Sequence, residues 1–340
     1  MSENSDNQSV PRVGVACNLK CDHSSDTEAE FDEPETVAAI CAALRDGGFD
    51  AFVIEASEDF PRKIETETPD IVFNIAEGKT GRDREAQIPA ILEYCGVPFT
   101  GSDAATLSIA LDKSLTKQLA SDAGVLTPAS FVVRKNFGAL PKNLAFPILV
   151  KPNAEGSSKG ISDKCVVRDE NELLALVRSD MEIYGEDLLA EQYVDGREFT
   201  VGIIGNGDEL RVFEPLEIIY KKLRGDYKIY SFEVKRNYRD YIGYKCPPEL
   251  PAELTACMKS DAEKVYRALG CLDFARVDFR LSPDNKLYFI EANPLPGLAP
   301  GYSDFPMLAA FNGVDYGELV RMVLSCALKR YGMEAAKGNG

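Results

Sequence analysis

Two acidic side chains and one amide occupy a predicted β-hairpin at residues 276–293. Successive side chains of a strand point to opposite faces, so Arg276 and Asp278 share one face of the first strand. Glu291 and Asn293 share one face of the second strand in the same way. With a two-residue loop Asp278 lies directly opposite Glu291, and with a four-residue loop the two are diagonal neighbours. Both registers gather two carboxylates and an amide oxygen, a ligand set that suits Mg²⁺ beside nucleotide phosphates.

The other face of this hairpin is predicted to carry Val277, Phe279, Tyr288 and Ile290, pointing away from the acids. An exposed hairpin is the alternative, because Arg276 could pair with Glu291 across the strands. The segment that follows favours the ligand site. Residues 294–297, Pro-Leu-Pro-Gly, end the strand abruptly, as expected where a strand end presents ligands.

A second group of candidate ligands follows a predicted strand at residues 146–151, which ends in Lys151. The next residues form a loop of mostly small side chains: Glu155, Gly156, Ser157, Ser158, Lys159 and Gly160. Glycines let backbone N–H groups approach an anion, and hydroxyls and an ammonium add donors, so the loop can surround a phosphate. These residues are also typical of a flexible turn. The spacing does not match the Walker pattern, which disfavours a P-loop ATPase.

Residues 189–198 combine an acid, an apolar stretch and a second acid after an Asp-Gly turn. An adenine is bound by apolar walls and backbone groups, and a ribose by a carboxylate, so Glu191 and Glu198 are candidates for nucleotide contacts. A strand followed by a turn is an alternative explanation of the same segment.

The composition limits the classes of protein that can carry these residues. A chain of 340 residues, 45% hydrophobic and 27% charged, is long enough for two or three globular domains. Its net charge of −17 argues against a nucleic-acid partner, which requires a broad basic surface. Residues 1–10 lack the pattern of a secretion signal, and no stretch reaches about 18 consecutive apolar residues, so we expect a cytoplasmic protein without a membrane span.

Nine cysteines are scattered along the chain and odd in number, so we predict that they are reduced core residues. Cys17, Cys21 and His23 are a candidate metal group, although no fourth soft ligand lies nearby in the sequence. His23 is the only histidine, which argues against a Ser-His-Asp hydrolase and a multi-histidine metal site. Carboxylates, lysines and arginines must therefore carry the chemistry.

The predicted elements give an α/β fold. Strands at residues 13–16, 51–55 and 71–73 alternate with a helix at residues 35–44, which is typical of a doubly wound parallel sheet. Later helices are predicted at residues 84–94, 113–123, 252–269 and 316–331. Three units are predicted: an N-terminal domain at residues 1–112, a central unit with the phosphate loop at residues 113–190, and a C-terminal unit with the hairpin at residues 191–340.

Five segments fall in the order and spacing of the ATP-grasp ligases and resemble the D-alanyl-D-alanine ligases over nearly the whole chain. They are Leu-Asp-Lys113, Val-Lys151-Pro with its small-residue loop, Glu191-Gln-Tyr-Val with Glu198, Arg276-Val-Asp278, and Glu291-Ala-Asn293-Pro-Leu-Pro-Gly297. The resemblance implies the ATP-grasp fold, preceded by a pre-ATP-grasp domain. It also implies a ligase that uses ATP to join a carboxylate to an amine through an acyl phosphate, forming an amide or dipeptide bond.

The resemblance also implies a role for each matching residue. Nucleotide contacts fall to Lys113, Lys151, Glu191, Gln192, Tyr193, Val194 and Glu198. Two Mg²⁺ ions, or Mn²⁺ in their place, are bound by Asp278, Glu291 and Asn293. Arg276 steadies the acyl phosphate and the tetrahedral intermediate. The loop that closes on the transferred phosphoryl group contains Gly156, Ser157 and Ser158.

Residues 221–245 reverse the acidic character of the chain, with eight Lys or Arg against three Asp or Glu. A site for single-stranded nucleic acid and a solvated basic face are the alternatives. We favour a lid over an anionic substrate, because the family places a closing loop here. Lys235 matches the lysine of that loop that contacts phosphate or substrate.

The substrate half departs from the family pattern. The N-terminal motif that holds the ammonium of the first amino acid is absent, and Glu28 or Glu30 is the expected substitute. The other candidates for substrate contacts are Glu77, Arg82, Arg84 and Tyr302. We therefore predict a substrate other than D-alanine, with an acidic group that meets one of the two arginines. The alternative pairs these arginines with Asp83 and Glu85 at the start of a helix.

Two other functions are compatible with this fold: a nucleotide-binding regulator without catalysis, and a carboxylase or carboxylate-thiol ligase. A regulator is disfavoured because a binding protein need not keep Arg276 together with both carboxylates. The expected partners are small amino-acid or peptide substrates, with no nucleic acid and no membrane. The resemblance further implies a homodimer.

Overall fold

The computed structural model describes residues 10–21, 28, 30–134, 141, 144–155, 165–223, 225–231, 234 and 237–333. These residues form three β-sheets, one parallel and two antiparallel. Several predicted site residues lie outside the described residues: His23, Gly156, Ser157, Ser158 and Lys235. In the described ranges, every helix is too short or too polar to cross a membrane.

The N-terminal part is a parallel sheet with helices on both faces. Its strands are β1 (Arg12–Cys17), β2 (Asp50–Glu55) and β3 (Ile71–Asn74), in the order β2-β1-β3. Its helices are α1 (Pro34–Asp46), α2 (Phe60–Glu67), α3 (Gln87–Cys95) and α4 (Ala104–Leu111). Val13 and Val15 share a core with α1, whereas Ala16 shares a core with α2. The predicted doubly wound parallel sheet is confirmed.

The second sheet is small and antiparallel. Its strands are β4 (Ser130–Val133), β5 (Ile148–Pro152), β6 (Val166–Val167) and β7 (Leu188–Gln192), in the order β4-β7-β5-β6. Helix α6 (Glu170–Tyr184) covers one face, where its Val177 packs in a core with Ile148 and Val150. Side chains alternate along β5, so Leu149 and Lys151 point to the opposite side, where they line a cavity.

The third sheet is antiparallel and carries the predicted hairpin. Its strands are β8 (Arg197–Ile204), β9 (Arg211–Val212), β10 (Leu216–Tyr220), β11 (Ile242–Lys245), β12 (Phe274–Leu281) and β13 (Leu287–Asn293). They follow the order β11-β10-β8-β12-β13, and β9 pairs with β8. Helices α5 (Lys113–Asp122), α7 (Tyr238–Tyr241) and α8 (Ala252–Leu269) belong to the same region. Ala120 of α5 and Val265 of α8 share a core with Phe279 and Phe289, which fixes α5 beside the hairpin.

The last two helices, α9 (Asp304–Phe311) and α10 (Tyr316–Arg330), join the first and third sheets. Phe305 of α9 and Val323 of α10 lie in one core with Val13 of β1 and Leu44 of α1. The predicted domain boundaries after residues 112 and 190 stay a prediction, and β7 continues across the second of them.

Two regions differ from the predicted elements. The helix predicted at residues 84–94 is a 3₁₀ turn, Arg84–Ala86, followed by α3. Pro89 fits this arrangement, because proline is tolerated in the first turn of a helix. The predicted basic lid at residues 221–245 ends in strand β11, and its Ile229 and Val234 are buried, so part of it belongs to the packed structure.

All nine cysteines are free, as predicted. The expectation that they are core residues is wrong for Cys21, Cys95 and Cys257, which are exposed. Cys257 stands between Ala256 and Met258 in the sequence and is still exposed, so apolar neighbours were a weak guide to burial.

Candidate active site

The hairpin brings the predicted acids together. Asp278 of β12 lies directly opposite Glu291 of β13, and Arg276 lies opposite Asn293. All four side chains line one cavity of about 740 Å³. The two strands therefore gather two carboxylates and an amide on one face, as predicted.

A β-bulge in β13 produces this alignment. Near the turn Leu281 pairs with Leu287, a register that neither predicted loop gives. The register shifts by one residue just before Phe279, which pairs with Phe289. The extra residue, Ile290, lines the cavity, so the prediction that Ile290 faces away from the acids is wrong. A bulge re-aims side chains by placing two residues opposite one, and here it restores the pairing of the two acids.

Two carboxylates fix the guanidinium of Arg276. Its Nη2 lies 3.0 Å from Asp278 Oδ2, and its Nη1 lies 2.9 Å from Asp304 Oδ2. Asp304, the first residue of α9, also accepts a hydrogen bond from the hydroxyl of Tyr244 at 2.9 Å. These ion pairs replace the alternative pairing of Arg276 with Glu291. The sequence reasoning missed Asp304, because no local pattern links a helix start to a strand 28 residues earlier.

The carboxylate of Asp278 has an unused acceptor. Within the described residues its Oδ1 is buried without a hydrogen bond, while its Oδ2 accepts from Arg276 and lies 3.4 Å from Asn293 Nδ2. Burial raises the pKa of Asp278 to about 7; Arg276 opposes this shift and Glu291 adds to it. A cation between the two carboxylates would satisfy the orphan oxygen and offset their repulsion. The donor set fits Mg²⁺, which takes its remaining ligands from phosphates and water.

A buried group of three charges lies beside the hairpin. Both oxygens of Glu191 are engaged, one by Lys151 Nζ at 2.8 Å and the other by Lys117 Nζ at 2.8 Å. The two lysines overcome the opposing effect of burial and lower the pKa of Glu191 to about 2. Lys117 also donates to the carbonyl oxygen of Ile290, at the bulge, at 3.0 Å. The group therefore ties α5, β5 and β7 to the acidic hairpin.

The sequence reasoning named Lys113 and missed Lys117. A signal was available, because residues four apart lie on the same face of a helix, and both lysines are on α5. Lys113 lines the cavity, and its Nζ donates to the carbonyl oxygen of Glu155. Burial lowers the pKa of Lys113, against the opposing effect of Glu291. This side chain therefore stands between the hairpin and the start of the predicted phosphate loop.

The segment predicted to hold a nucleoside lines the same cavity. The cavity residues include Glu191, Gln192, Tyr193, Val194 and Glu198. Glu198 accepts hydrogen bonds from Tyr220 at 2.8 Å and from Arg280 at 2.7 Å. Arg280, which the sequence reasoning missed, also donates to the carbonyl oxygen of Val194 at 2.9 Å. The alternation along β12 that placed Arg276 and Asp278 together also places Arg280 on their face.

Family comparisons agree with this arrangement. Residues 124–325 match the family described as the D-ala D-ala ligase C-terminus. The D-alanine–D-alanine ligase of Geobacter sulfurreducens is 32% identical over 86% of this chain and 88% of that protein. The D-alanine–D-alanine ligase of Saccharophagus degradans is 35% identical over the same shares. The chain belongs to the D-alanine–D-alanine ligase family.

The fold agrees with solved structures of this ligase family. The D-alanine–D-alanine ligase of Bacillus anthracis, solved in complex with ATP, has a TM-score of 0.75 and 23% identity. The similarity covers 95% of this chain and 99% of that one. The predicted ATP-grasp fold with an N-terminal parallel-sheet domain is thus confirmed.

The two arginines predicted to meet substrate have protein partners. Arg82 is exposed and pairs with Asp112 at 2.7 Å. Arg84 is buried: its Nε and Nη2 bind Glu30 at 3.0 and 2.9 Å, and its Nη1 binds the carbonyl oxygen of Ala154 at 2.9 Å. The ion pairs differ from the predicted alternative with Asp83 and Glu85. The contact with substrate stays a prediction, although the nitrogens of Arg84 are already occupied.

The other substrate candidates divide into two groups. Glu30, Glu77 and Tyr302 line the cavity. Glu28 accepts a hydrogen bond from the backbone N–H of Cys21 at 2.6 Å and is not among the cavity residues. The candidate metal group of Cys17, Cys21 and His23 stays a prediction, because His23 lies outside the described residues.

Proposed function

We propose that this protein is an ATP-dependent ligase that joins a carboxylate to an amine through an acyl phosphate. The observation that supports the proposal is a single cavity lined by the acids and arginine of the hairpin together with Lys113 and Lys151. Phosphoryl transfer needs charge neutralisation and alignment rather than a protein nucleophile. Membership of a ligase family supports the same reaction class.

ATP is proposed to enter with its adenine against residues 191–194 and its ribose at Glu198. The triphosphate then points to Lys113 and Lys151, which line the same cavity as the hairpin. The Bacillus anthracis ligase, which has a similar fold, was solved in complex with ATP, and this supports ATP as the nucleotide. Gly156, Ser157 and Ser158 keep their predicted role of closing on the transferred phosphoryl group, and Lys235 keeps its predicted role on the lid.

Asp278, Glu291 and Asn293 would hold the two Mg²⁺ ions, or Mn²⁺ in their place. The support is the orphan Oδ1 of Asp278 and the pairing of both carboxylates across the strands. When bound, the metal supplies charge neutralisation for the phosphates of ATP. The protein contributes a donor set that two ion pairs and the bulge hold in place.

In the first step, a carboxylate oxygen of one substrate attacks the γ-phosphorus of ATP, the bond to the bridging oxygen breaks, and ADP leaves. The amine of the second substrate then attacks the acyl carbon, and the departing phosphate takes the amine proton. Arg276 is held by Asp278 and Asp304, so it presents a fixed positive charge to the transferred phosphoryl group in the first step and to the acyl oxygen that becomes negative in the second. Fixed charges of this kind need no rearrangement during the reaction.

The substrates are proposed to be small amino acids or peptides, with at least one partner other than D-alanine. This proposal rests on the N-terminal part of the chain, whose sequence departs from the family pattern. Two of its residues, Glu30 and Glu77, line the cavity. A homodimer and a cytoplasmic location remain proposals based on the family.

The direct test is a phosphate-release assay with ATP, Mg²⁺ and a panel of amino acids of both configurations. Asp278→Asn removes one charge of the proposed metal site. Asp284→Asn is the matched control, because Asp284 is an exposed residue in the turn of the same hairpin. We expect amino-acid-dependent release in the parent and the control, and a loss of about 100-fold or more in Asp278→Asn. ATP consumption that never depends on an amino acid would refute the proposal, and tight ATP binding without turnover would favour the regulator.

A further inference from the structure

One end of the cavity is strongly acidic. Its wall includes Glu30, Asp32, Glu77 and Glu85, which come from the segment before α1 and from the segment after β3. Gly78 allows this second segment to fold back, because its φ is +76°. At this turn the backbone of Gly78 lies so close to Arg84 that a Cβ on Gly78 would be 2.0 Å from the carbonyl oxygen of Arg84. The close approach needs a glycine, and it holds Glu77 near Glu85.

The nearby cations do not neutralise three of these acids. Arg84 is engaged by Glu30 at 2.8 Å and by Glu155 at 3.4 Å, and Lys20 pairs with Glu33 at 3.8 Å. Within the described residues, three half-buried acids at this end of the cavity have neither an ion pair nor a side-chain hydrogen bond: Asp32, Glu77 and Glu85. This end of the cavity thus carries three half-buried, unpaired carboxylates.

These carboxylates repel one another in an enclosed site. Burial raises the pKa of Glu85 to about 7, and Glu30 adds to the effect. Burial also raises the pKa of Asp32 to about 7 and that of Glu77 well above its ordinary value. Enclosed carboxylates without partners are costly, so a cationic ligand would relieve a penalty that the protein itself leaves in place.

The acidic end adjoins the proposed reaction centre. Lys113 lies between the two, because the charge of Glu291 on the hairpin and that of Glu30 in the acidic end both act to raise its pKa, against the effect of burial. A small amino acid can therefore place its carboxylate toward ATP and its amino end toward the acids. The acids are spread along the wall, since the described residues include no set of three placed around a single metal ion. Such a spread suits two separate ammonium groups.

We propose that this end of the cavity binds an amino-acid substrate that carries a second amino group, and this rests on the proposed ligase function. The ammonium of a neutral amino acid can neutralise one of the three unpaired carboxylates. A second ammonium on the side chain pairs with another, so Asp32, Glu77 and Glu85 act as specificity-determining residues. A neutral amino acid leaves two of these half-buried carboxylates unpaired and binds more weakly.

The test compares matched pairs of ligands by calorimetry at pH 8, in the presence of Mg²⁺ and a non-hydrolysable ATP analogue. The pairs are 2,4-diaminobutyrate with 2-aminobutyrate, and ornithine with norvaline, each in both configurations. We expect at least one diamino acid to bind at least tenfold more tightly than its neutral partner. In Glu77→Gln and Glu85→Gln this preference should fall to about threefold or less, whereas Glu93→Gln, an exposed position on α3, should keep it.

Binding and turnover separate the two proposals. Preferential binding of a diamino acid without amino-acid-dependent phosphate release would support this inference and refute the ligase function. Turnover with neutral amino acids, together with equal binding of both members of every pair, would refute the inference and leave the ligase function standing. A preference that survives in both glutamine variants would also refute it, because other groups would then recognise the second amine.

Discussion

Replacement of Glu85 by glutamine should stabilise the ligand-free protein in a pH-dependent way. Glu85 faces Glu30, Glu77, Arg84 and Lys113, and its pKa rises from 4.5 to about 7 in the folded chain. Below pH 4.5 the carboxyl is neutral in both the folded and the unfolded chain. Between pH 4.5 and about 7 the unfolded chain gives up this proton while the folded chain keeps it, so the parent loses stability through that window.

The glutamine variant cannot ionise at this position and escapes that loss. A pKa rise of this size corresponds to a difference on the order of 3 kcal/mol in the free energy of unfolding between the variant and the parent. The difference is reached near pH 7 and is constant above it. For a chain of 340 residues this amounts to about 4 °C in Tm if the chain unfolds as one unit. The Tm difference between Glu85→Gln and the parent should therefore be near zero at pH 4 and reach this value at pH 8.

Thermal unfolding followed by circular dichroism at pH 4, 5, 6, 7 and 8 measures this difference. Glu93→Gln is the control, because Glu93 is an exposed glutamate on α3, next in sequence to the segment that carries Glu85. The control should follow the parent at every pH. A difference that is constant with pH, or a variant that is less stable than the parent at pH 8, would refute the reasoning that Glu85 is an enclosed and unpaired acid.

Three further substitutions test other parts of the site. Asp304→Asn weakens the support of the hairpin arginine and should lower kcat about 10- to 100-fold with little change in the KM for ATP; an unchanged kcat in the phosphate-release assay would contradict this. Lys117→Met leaves Glu191 with one buried partner and should cost about 3 kcal/mol, lowering Tm by about 4 °C; an unchanged Tm would contradict it. Gly78→Ala should lower Tm more than Gly124→Ala, because both have positive φ but only the first places a Cβ against backbone; equal shifts would show that the close approach is relaxed.

The pairing of the two acids was predictable because it depends on local rules. Alternation along two strands fixes which side chains share a face, and Asp278 and Glu291 obey it. The bulge at Ile290 was not predictable from the same rules, because an extra residue in one strand leaves no mark in the pattern of polar and apolar side chains. The fold class followed from the alternation of strands and helices, and also from the resemblance of five segments to one family.

Contacts between distant segments account for what the sequence left out. Asp304 reaches Arg276 from the start of α9, and Glu30 reaches Arg84 across 54 residues. No periodicity connects such positions, so the partners of both arginines required the three-dimensional arrangement. Lys117 is different, because its spacing of four residues from Lys113 on α5 was a usable signal.

The central claim is that a substrate carboxylate is activated as an acyl phosphate. An amino acid that supports phosphate release can be labelled with ¹⁸O in its carboxylate and incubated with the protein, ATP, Mg²⁺ and the amine substrate. Mass spectrometry of the products should find one ¹⁸O in the released phosphate for each amide bond formed, since the oxygen that attacked phosphorus leaves with it. Amide formation with unlabelled phosphate would contradict the account.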